Sequence, residues 1–454
     1  MMQAIRHKIN WSKIWFLFSW LFLLFVFSFS WGFLSAKFKV FPYYTIRNTI
    51  MTASTVQWLF KNNVTTSLSA NEISASRTRG GVTINKLIQN KDQFLLTTLY
   101  KNEEFVAIIM DREGNNIHEW KIPYKQQKLF MAKDTKVSLS KKNLMIHGAS
   151  LDDKGNIYLV IEFRGLIKLN SASENIWTLH MPVHHAVTVD KDKSIWTISR
   201  NKINDTKDWI PFATQPYWND LIVHISPEGE IIESFSVLDI IFDNQYEGIL
   251  YGGHPARPAI HHEDPLHVND VRIMTQEQAG YFKNVNPGDL IISMRTINTV
   301  MIVDRHSHSI LWTITGPFLR QHSPRISATG SLLVFDNRTA RGQTGGAARY
   351  LTDPQALDYS RLLSIDLKSR VVEWQYQGTV EHPFYTSIQG WLEELDNGDI
   401  LAVESEGGRI FQIDLKTDKI VWEYINLIKK GVVGRVTQAT PVSEHQISAL
   451  GKNN

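Results

Sequence analysis

The chain has 454 residues, 43% of them hydrophobic and 14 of them tryptophan, ample for a large core, and its formal net charge is only +3. So small an excess, with no basic stripe interleaved with aromatics, argues against nucleic acid as a partner. The absence of cysteine excludes a disulfide framework, a thiolate nucleophile and any Cys-ligated zinc or iron–sulfur centre, while length alone leaves the domain count open.

Residues 14–36 read IWFLFSWLFLLFVFSFSWGFLSA. The run is uncharged and long enough, at about 1.5 Å per residue, to cross a hydrocarbon core of about 30 Å. Arg6, Lys8 and Lys13 precede it. The positive-inside tendency therefore puts residues 1–13 in the cytoplasm and the rest on the periplasmic side of the inner membrane, against a weaker bias from Lys37 and Lys39. A cleaved signal peptide is the alternative, but its apolar region is ordinarily about 7–15 residues and Leu34-Ser35-Ala36 makes a poor cleavage site. Residues 37–81, an aromatic stretch of helical pattern followed by a polar run, read as a stalk.

From residue 82 to 454 the pattern is nearly all β, with turn signals at short intervals. Self-similarity is tested before local structure, and one device recurs. His147 starts HGASLDDKGNIYLVIE, His185 starts HAVTVDKDKSIWTISR, His322 starts HSPRISATGSLLVFDN and Gly390 starts GWLEELDNGDILAVES, with Gly155, Lys193, Gly330 and Gly398 at the turns. His267 starts HVNDVRI, which turns at Pro287-Gly288-Asp289 and returns as LIISMR to Arg295; Arg200 holds the matching position after His185. A second pattern ends each unit near a tryptophan, as in RLLSIDLKSRVVEWQY and GRIFQIDLKTDKIVWEY. Each unit is thus about four antiparallel strands, and a sixth inner strand lies near Thr437. The two chain ends complete one unit between them, so the expected fold is an all-β, six-bladed β-propeller with an N-terminal transmembrane helix, since radial repetition leaves only short, protected edges. A β-sandwich pair or an eight-stranded barrel does not explain a tryptophan-ended four-strand repeat.

Inner strands of a propeller open at one mouth of the channel, so His147, His185, His267 and His322 are expected to form a ring. A single such histidine is more often a strand end bonded to a carbonyl; four in register with two arginines reverse that balance. Of His184 and His185 only one can point inward if side chains alternate, and the register favours His185.

The runs DPLHVND, GDLIISMR, RQHSPRISATGSLLVFDN and GWLEELDNGDILAVESEGGRIFQIDLKTDKIVWEYIN are similar to the bacterial PAPS-independent arylsulfotransferase family over residues 145–440 or so. The resemblance implies a six-bladed propeller that moves a sulfuryl group from an aryl sulfate donor to a phenolic acceptor through a covalent sulfohistidine, with no nucleotide donor and no cofactor. It implies that His322 in RQHSP is the sulfated histidine, that His267 and Arg295 bind sulfate, and that His185 is a further active-site histidine. Asn269, Asn337, Arg200 and His147 are the candidate substrate contacts. The chain departs from the family at Ser323 and Ala186, where acidic residues are usual.

The chemistry is intelligible from the residues themselves. A sulfuryl group spreads negative charge over its oxygens, so cations such as Arg295 stabilise its transfer. A neutral imidazole can attack the sulfur in a two-step route, and another histidine can pass a proton in each direction.

Three further features have plainer readings. His261-His262-Glu263-Asp264 is of a metal-ligating type, but adjacent residues diverge and a solvated loop is favoured. RGQTGGAARY, 341–350, lacks the GK[ST] ending of a phosphate loop and reads as an insertion. The D-x-x-x-x-x-h-x-W units serve blade packing. The functional alternatives are a non-catalytic anchored propeller that binds a partner or small ligand, and an aryl sulfate hydrolase.

Overall fold

The computed structural model describes residues 11–38, 41–42, 71–75, 77–86, 94–122, 144–204, 216–252, 263–338, 359–379 and 382–451. They fall in two compact units, Met1–Ser67 and Leu68–Asn454. Among its described residues the first contains one helix, Trp11–Phe38. Its apolar side chains are exposed all round, and by length and composition it can cross a membrane, as an anchor or as a signal sequence.

The second unit is a six-bladed β-propeller. Six of its seven sheets are blades, each with four antiparallel strands running outward from the channel, and the seventh is a small three-stranded sheet. Blade 1 is built from both ends of the chain: Val436–Val442 is innermost, followed by Phe94–Lys101, Glu104–Asp111 and Asn116–Trp120. Blades 2 to 6 follow in order, with inner strands Ile146–Leu151, His184–Val189, Val268–Ile273, His322–Ile326 and Trp391–Glu394. Every expected inner strand is therefore present, and the closure of the ring by the two chain ends is as expected. The turns of the inner hairpins, Gly155, Lys193, Gly288, Gly330 and Gly398, all take positive φ, the backbone these tight reversals demand.

Two features differ from the expectation. The second unit begins at Leu68, so part of what read as stalk belongs to it: Glu72–Ser74 pairs with Val432–Gly434, and Gly81–Asn85 adds a fifth strand to the outer edge of blade 6. The last strand ends at Val442, and Glu444–Gly451 is a helix rather than more strand. Its start was legible. Ser443 Oγ accepts from the Gln446 N–H at 3.2 Å and Gln446 Oε1 accepts from the Ser443 N–H at 3.1 Å, a reciprocal pair that nucleates a helix.

Four of the repeated tryptophans latch a blade to the next. Trp120 Nε1 donates to Asn170 O, Trp177 to Pro227 O, Trp374 to Asp418 Oδ1 and Trp422 to Arg112 O, at 2.7–3.1 Å. Each acceptor lies in an outer turn of the neighbouring blade, so one indole both fills the gap between sheets and pins the next one.

Candidate active site

The channel mouth carries a local departure from regular strand geometry. Five of the six inner strands shift register where they open, at 184/187, 268/270, 322/325, 146/148 and 436/438. His185, His267 and Ser323 adopt φ of 60°, 48° and 54°, a left-handed conformation that side chains with a Cβ seldom take. Such bulges re-aim side chains beside functional sites. Here they turn imidazoles from four strand ends toward one another.

His185 sits at the centre of the cluster. Its ring centroid is 3.9 Å from that of His147, 5.0 Å from His184, 5.1 Å from His267 and 6.2 Å from His322. The short approach between blades 2 and 3 needs Gly148, because a Cβ there would lie 2.2 Å from His185 O. His147, His185, Asn269 and His322 line a small cavity, together with Asp270, Ser323, Gln389, Gly390, Trp391 and Thr437. Behind Trp391 the guanidinium carbons of Arg272 and Arg325 lie 4.6 and 5.0 Å from its ring. Arg325 grips Glu393 with two nitrogens at 3.0 Å each and Asp270 at 2.9 Å.

His322 is held in one tautomer. Its Nδ1 is 2.6 Å from Asn337 Oδ1, and the Asn337 amide nitrogen donates to Thr386 O at 3.0 Å and Gln389 O at 2.7 Å. Those two carbonyls can only accept, so Oδ1 faces the imidazole and Nδ1 must carry the proton. Nε2 is left as the free base. Burial, and then the positive charge of Arg295, hold the pKa of His322 well below its ordinary value, so the lone pair stays available at neutral pH. Asn337 is fully buried and, like His267, Arg295 and Arg200, is not among the cavity-lining residues; it stands behind the ring of His322. Asn269 donates to Gln321 O at 2.7 Å, while its Oδ1 is buried with no partner.

His267 and Arg295 are brought together as expected, with Arg295 N–H donating to His267 O at 3.1 Å. Asp264 accepts from His267 Nδ1. Burial and Arg295 lower the His267 pKa against the opposing pull of that carboxylate. Asp264 was read as part of a solvated loop; it is half-buried, and the positive groups around it hold its carboxyl far below its usual range in spite of burial. His261 and His262 of that tract lie outside the described residues, as does 341–350. Among the described residues no three His, Asp or Glu converge as metal ligands do.

Arg200, matched to Arg295 by the repeat, behaves differently. Its guanidinium carbon lies 3.6 Å from the Phe163 ring centre and 3.9 Å from that of Trp218. Among the described residues Arg295 has no such aromatic clamp; like Arg200, it has no carboxylate within ion-pair distance and a buried Nε without a partner. His147 Nδ1 pairs with Glu162 Oε1 at 3.1 Å. Burial would raise the Glu162 carboxyl, but His147 and the surrounding positive charges hold it low.

Of the adjacent pair only His185 lines the cavity, as expected. The register shift lets both histidines reach the cluster: His185 lines the cavity, and His184 turns behind it with the two Nδ1 atoms 2.7 Å apart. His184 Nε2 is 3.5 Å from Asp220 Oδ1. Asp220 had no signal in the sequence; only the pairing of Arg200 with Asp220 across the second and third strands of blade 3 brings it in. Ser323 bridges to blade 6, accepting from Leu392 N–H at 3.2 Å.

Comparison with known proteins adds a family. A model of the arylsulfotransferase (ASST) family matches residues 162–427, which include every candidate residue except His147. No curated protein matches significantly. Among solved structures, a Bacteroides caccae protein of unknown function is 11% identical, with 78% of this chain and 100% of that chain covered at a TM-score of 0.47. Virginiamycin B lyase from Staphylococcus aureus is 11% identical, covering 63% and 71% at 0.36. The Swd1 propeller of Myceliophteria thermophila is 9% identical, covering 78% and 88% at 0.41. These likenesses concern the fold alone.

Proposed function

The chain belongs to the arylsulfotransferase family, and from that membership we propose that it moves a sulfuryl group from an aryl sulfate ester to a phenolic acceptor through a sulfohistidine on His322. The observation that carries this reading is the Asn337 lock, which leaves Nε2 of a buried, uncharged His322 as the free nitrogen at the cavity.

In the first step the Nε2 lone pair forms an N–S bond while the aryl O–S bond breaks, its electron pair leaving on the phenolate oxygen. In the second, the acceptor oxygen bonds to sulfur, the N–S pair returns to Nε2, and the acceptor's proton passes to a base. Splitting the transfer in two is what a nucleophilic residue contributes. Arg295, free of a carboxylate partner, suits the sulfuryl oxygens with its planar fork. His267 already gives its Nδ1 proton to Asp264, so oxygens near Nε2 favour its protonated, donating form. The acid usual after the nucleophile is Ser323 here, and the support for activity is that Asn337 orients the imidazole in its place.

The helix Trp11–Phe38 fits an uncleaved anchor that leaves the propeller on the periplasmic side, and N-terminal sequencing of membrane-purified protein tests this. A mature chain starting near Lys37 rejects it.

Incubating the protein with p-nitrophenyl sulfate and no acceptor is expected to place one sulfuryl group on the peptide containing His322, read by mass spectrometry. His322→Asn is expected to abolish both label and transfer. Labelling confined to another histidine, or full turnover by the variant, overturns the assignment. Release of sulfate to water even with phenol present points to a hydrolase.

A further inference from the structure

His184 and Asp220 lie outside everything assigned above, and both are buried beside a cavity-lining residue. His184 Nδ1 and His185 Nδ1 are 2.7 Å apart, and two neutral imidazoles at that distance share one proton. On the far side, His184 Nε2 is a buried nitrogen with no hydrogen-bond partner, 3.5 Å from Asp220 Oδ1. Asp220 is itself fixed, its other oxygen accepting from Val268 N–H at 2.8 Å. The line from solvent-poor core to cavity runs Asp220, His184, His185. We propose that these three side chains form a proton relay in which Asp220 stores the proton and His185 Nε2 exchanges it with donor and acceptor phenols.

The proton count balances without charging an imidazole. In the basic state Asp220 is a carboxylate, His184 holds its proton on Nε2 and His185 holds its proton on Nδ1, so His185 Nε2 is a free base. When an acceptor phenol gives its proton to that nitrogen, the His185 Nδ1 proton moves to His184 Nδ1 and the His184 Nε2 proton moves to Asp220. The result is a neutral carboxylic acid and two neutral imidazoles, with His185 Nε2–H now a donor. Reversing the sequence protonates a departing phenolate. The 3.5 Å gap is the long link, and catalytic hydrogen bonds often tighten only when substrate is bound.

The surroundings favour this division of labour. His185 is faced by His147, His184, His267 and His322, and burial with those neighbours holds it well below its ordinary pKa. His184, facing Arg200, His147, Asp264 and Glu162, is pushed down to about 3, first by burial and then by Arg200. Neither ring can store a proton near neutrality. Asp220 faces Asp264, His184, His267, Arg200, Arg295 and the Val268 N–H; burial and then the Asp264 charge push it up to about 7, where it gains and loses a proton readily.

This inference rests on the sulfohistidine reading, and its test separates the two. Sulfated enzyme is made with p-nitrophenyl sulfate, whose leaving group needs no proton, and its discharge to phenol is then followed across pH. The wild-type discharge rate is expected to rise through a limb near pH 7, because the basic state of the relay is required. Asp220→Asn keeps an acceptor for Val268 N–H but cannot take the proton. It is expected to retain the burst of p-nitrophenol and the label on His322, to lose the limb, and to discharge about 10²-fold or more slowly. His184→Gln breaks the relay at its middle and is expected to do the same, which serves if the first variant folds poorly. Discharge with an unchanged limb in a folded variant of either kind overturns the relay alone. A wild-type protein that is never sulfated overturns both readings.

Discussion

The two sides of the channel mouth start from the same device and end with different electrostatics. In blade 4 the returning arginine, Arg295, has no aromatic clamp among the described residues and its charge acts on His267 and His322, and His267 is anchored by Asp264. In blade 3 the matching arginine, Arg200, is clamped between Phe163 and Trp218, and the histidines turn toward Asp220. The first side leaves its guanidinium unclamped beside two imidazoles. The second surrounds a carboxylate whose ordinary pKa is moved toward neutrality. Equivalent positions in a repeat thus share a backbone register and not a role, because the role depends on what the third strand and the loops bring to them.

The largest effect that sharpens this contrast is on the two arginines. Arg295→Ala is expected to lower kcat/KM by about 10²–10³, the scale for losing one group aimed at developing charge. Arg200→Ala is expected to cost mostly stability, about 1–3 kcal/mol, from two aromatic contacts, read as a fall in Tm with far less change in kcat/KM. Equal losses of kcat/KM in the two variants break the comparison.

A smaller effect is expected at Asn337, behind His322. Asn337→Asp still accepts from Nδ1, so sulfation of His322 by p-nitrophenyl sulfate should continue, with the added charge shifting the onset of acid inhibition to higher pH. Asn337→Leu removes the acceptor and lets the ring take the other tautomer, and sulfation should slow by about 10²-fold. Measured burst rates across pH for both variants decide it; equal rates in Leu and Asp variants show that the amide does not set the tautomer.

Much of the fold could be read because it repeats. The His-to-turn spacing and the tryptophan-ended hairpins are local signals, and local signals in register predict blades. His147, His185, His267 and His322 were found the same way, and they do meet. What could not be read was tertiary. Asp220 reaches His184 only through the pairing of two strands, and Asn337 reads as a channel residue until its three hydrogen bonds turn it into a support. Of the two adjacent histidines His185 lines the cavity, as the register predicts, while the contact of His184 with His185 arises at a bulge, where the φ of His185 is +60°. Asp264 was hidden by its neighbours His261 and His262, which made a metal tract the obvious alternative to a loop.

The smallest effect falls on stability, and it tests whether the mouth as a whole holds its imidazoles neutral. His184, His185, His267 and His322 have folded pKa values lowered by burial and neighbouring positive charge. As pH falls below about 6.5 the unfolded chain takes up protons that the folded site refuses, so stability is lost on acidification. Each such histidine costs about 2 kcal/mol between pH 6.5 and 5 if its folded pKa lies below that window. Asp220 works in the opposite sense. Its folded pKa is raised to about 7, so the folded state binds a proton that the unfolded carboxyl does not, offsetting roughly one histidine over the same window. Wild-type Tm is therefore expected to fall from pH 7 to 5. The slope should be shallower in His322→Asn, which removes one refused proton, and steeper in Asp220→Asn, which removes the offset. Parallel slopes in all three proteins would mean that the two sides of the mouth do not differ in how they hold protons.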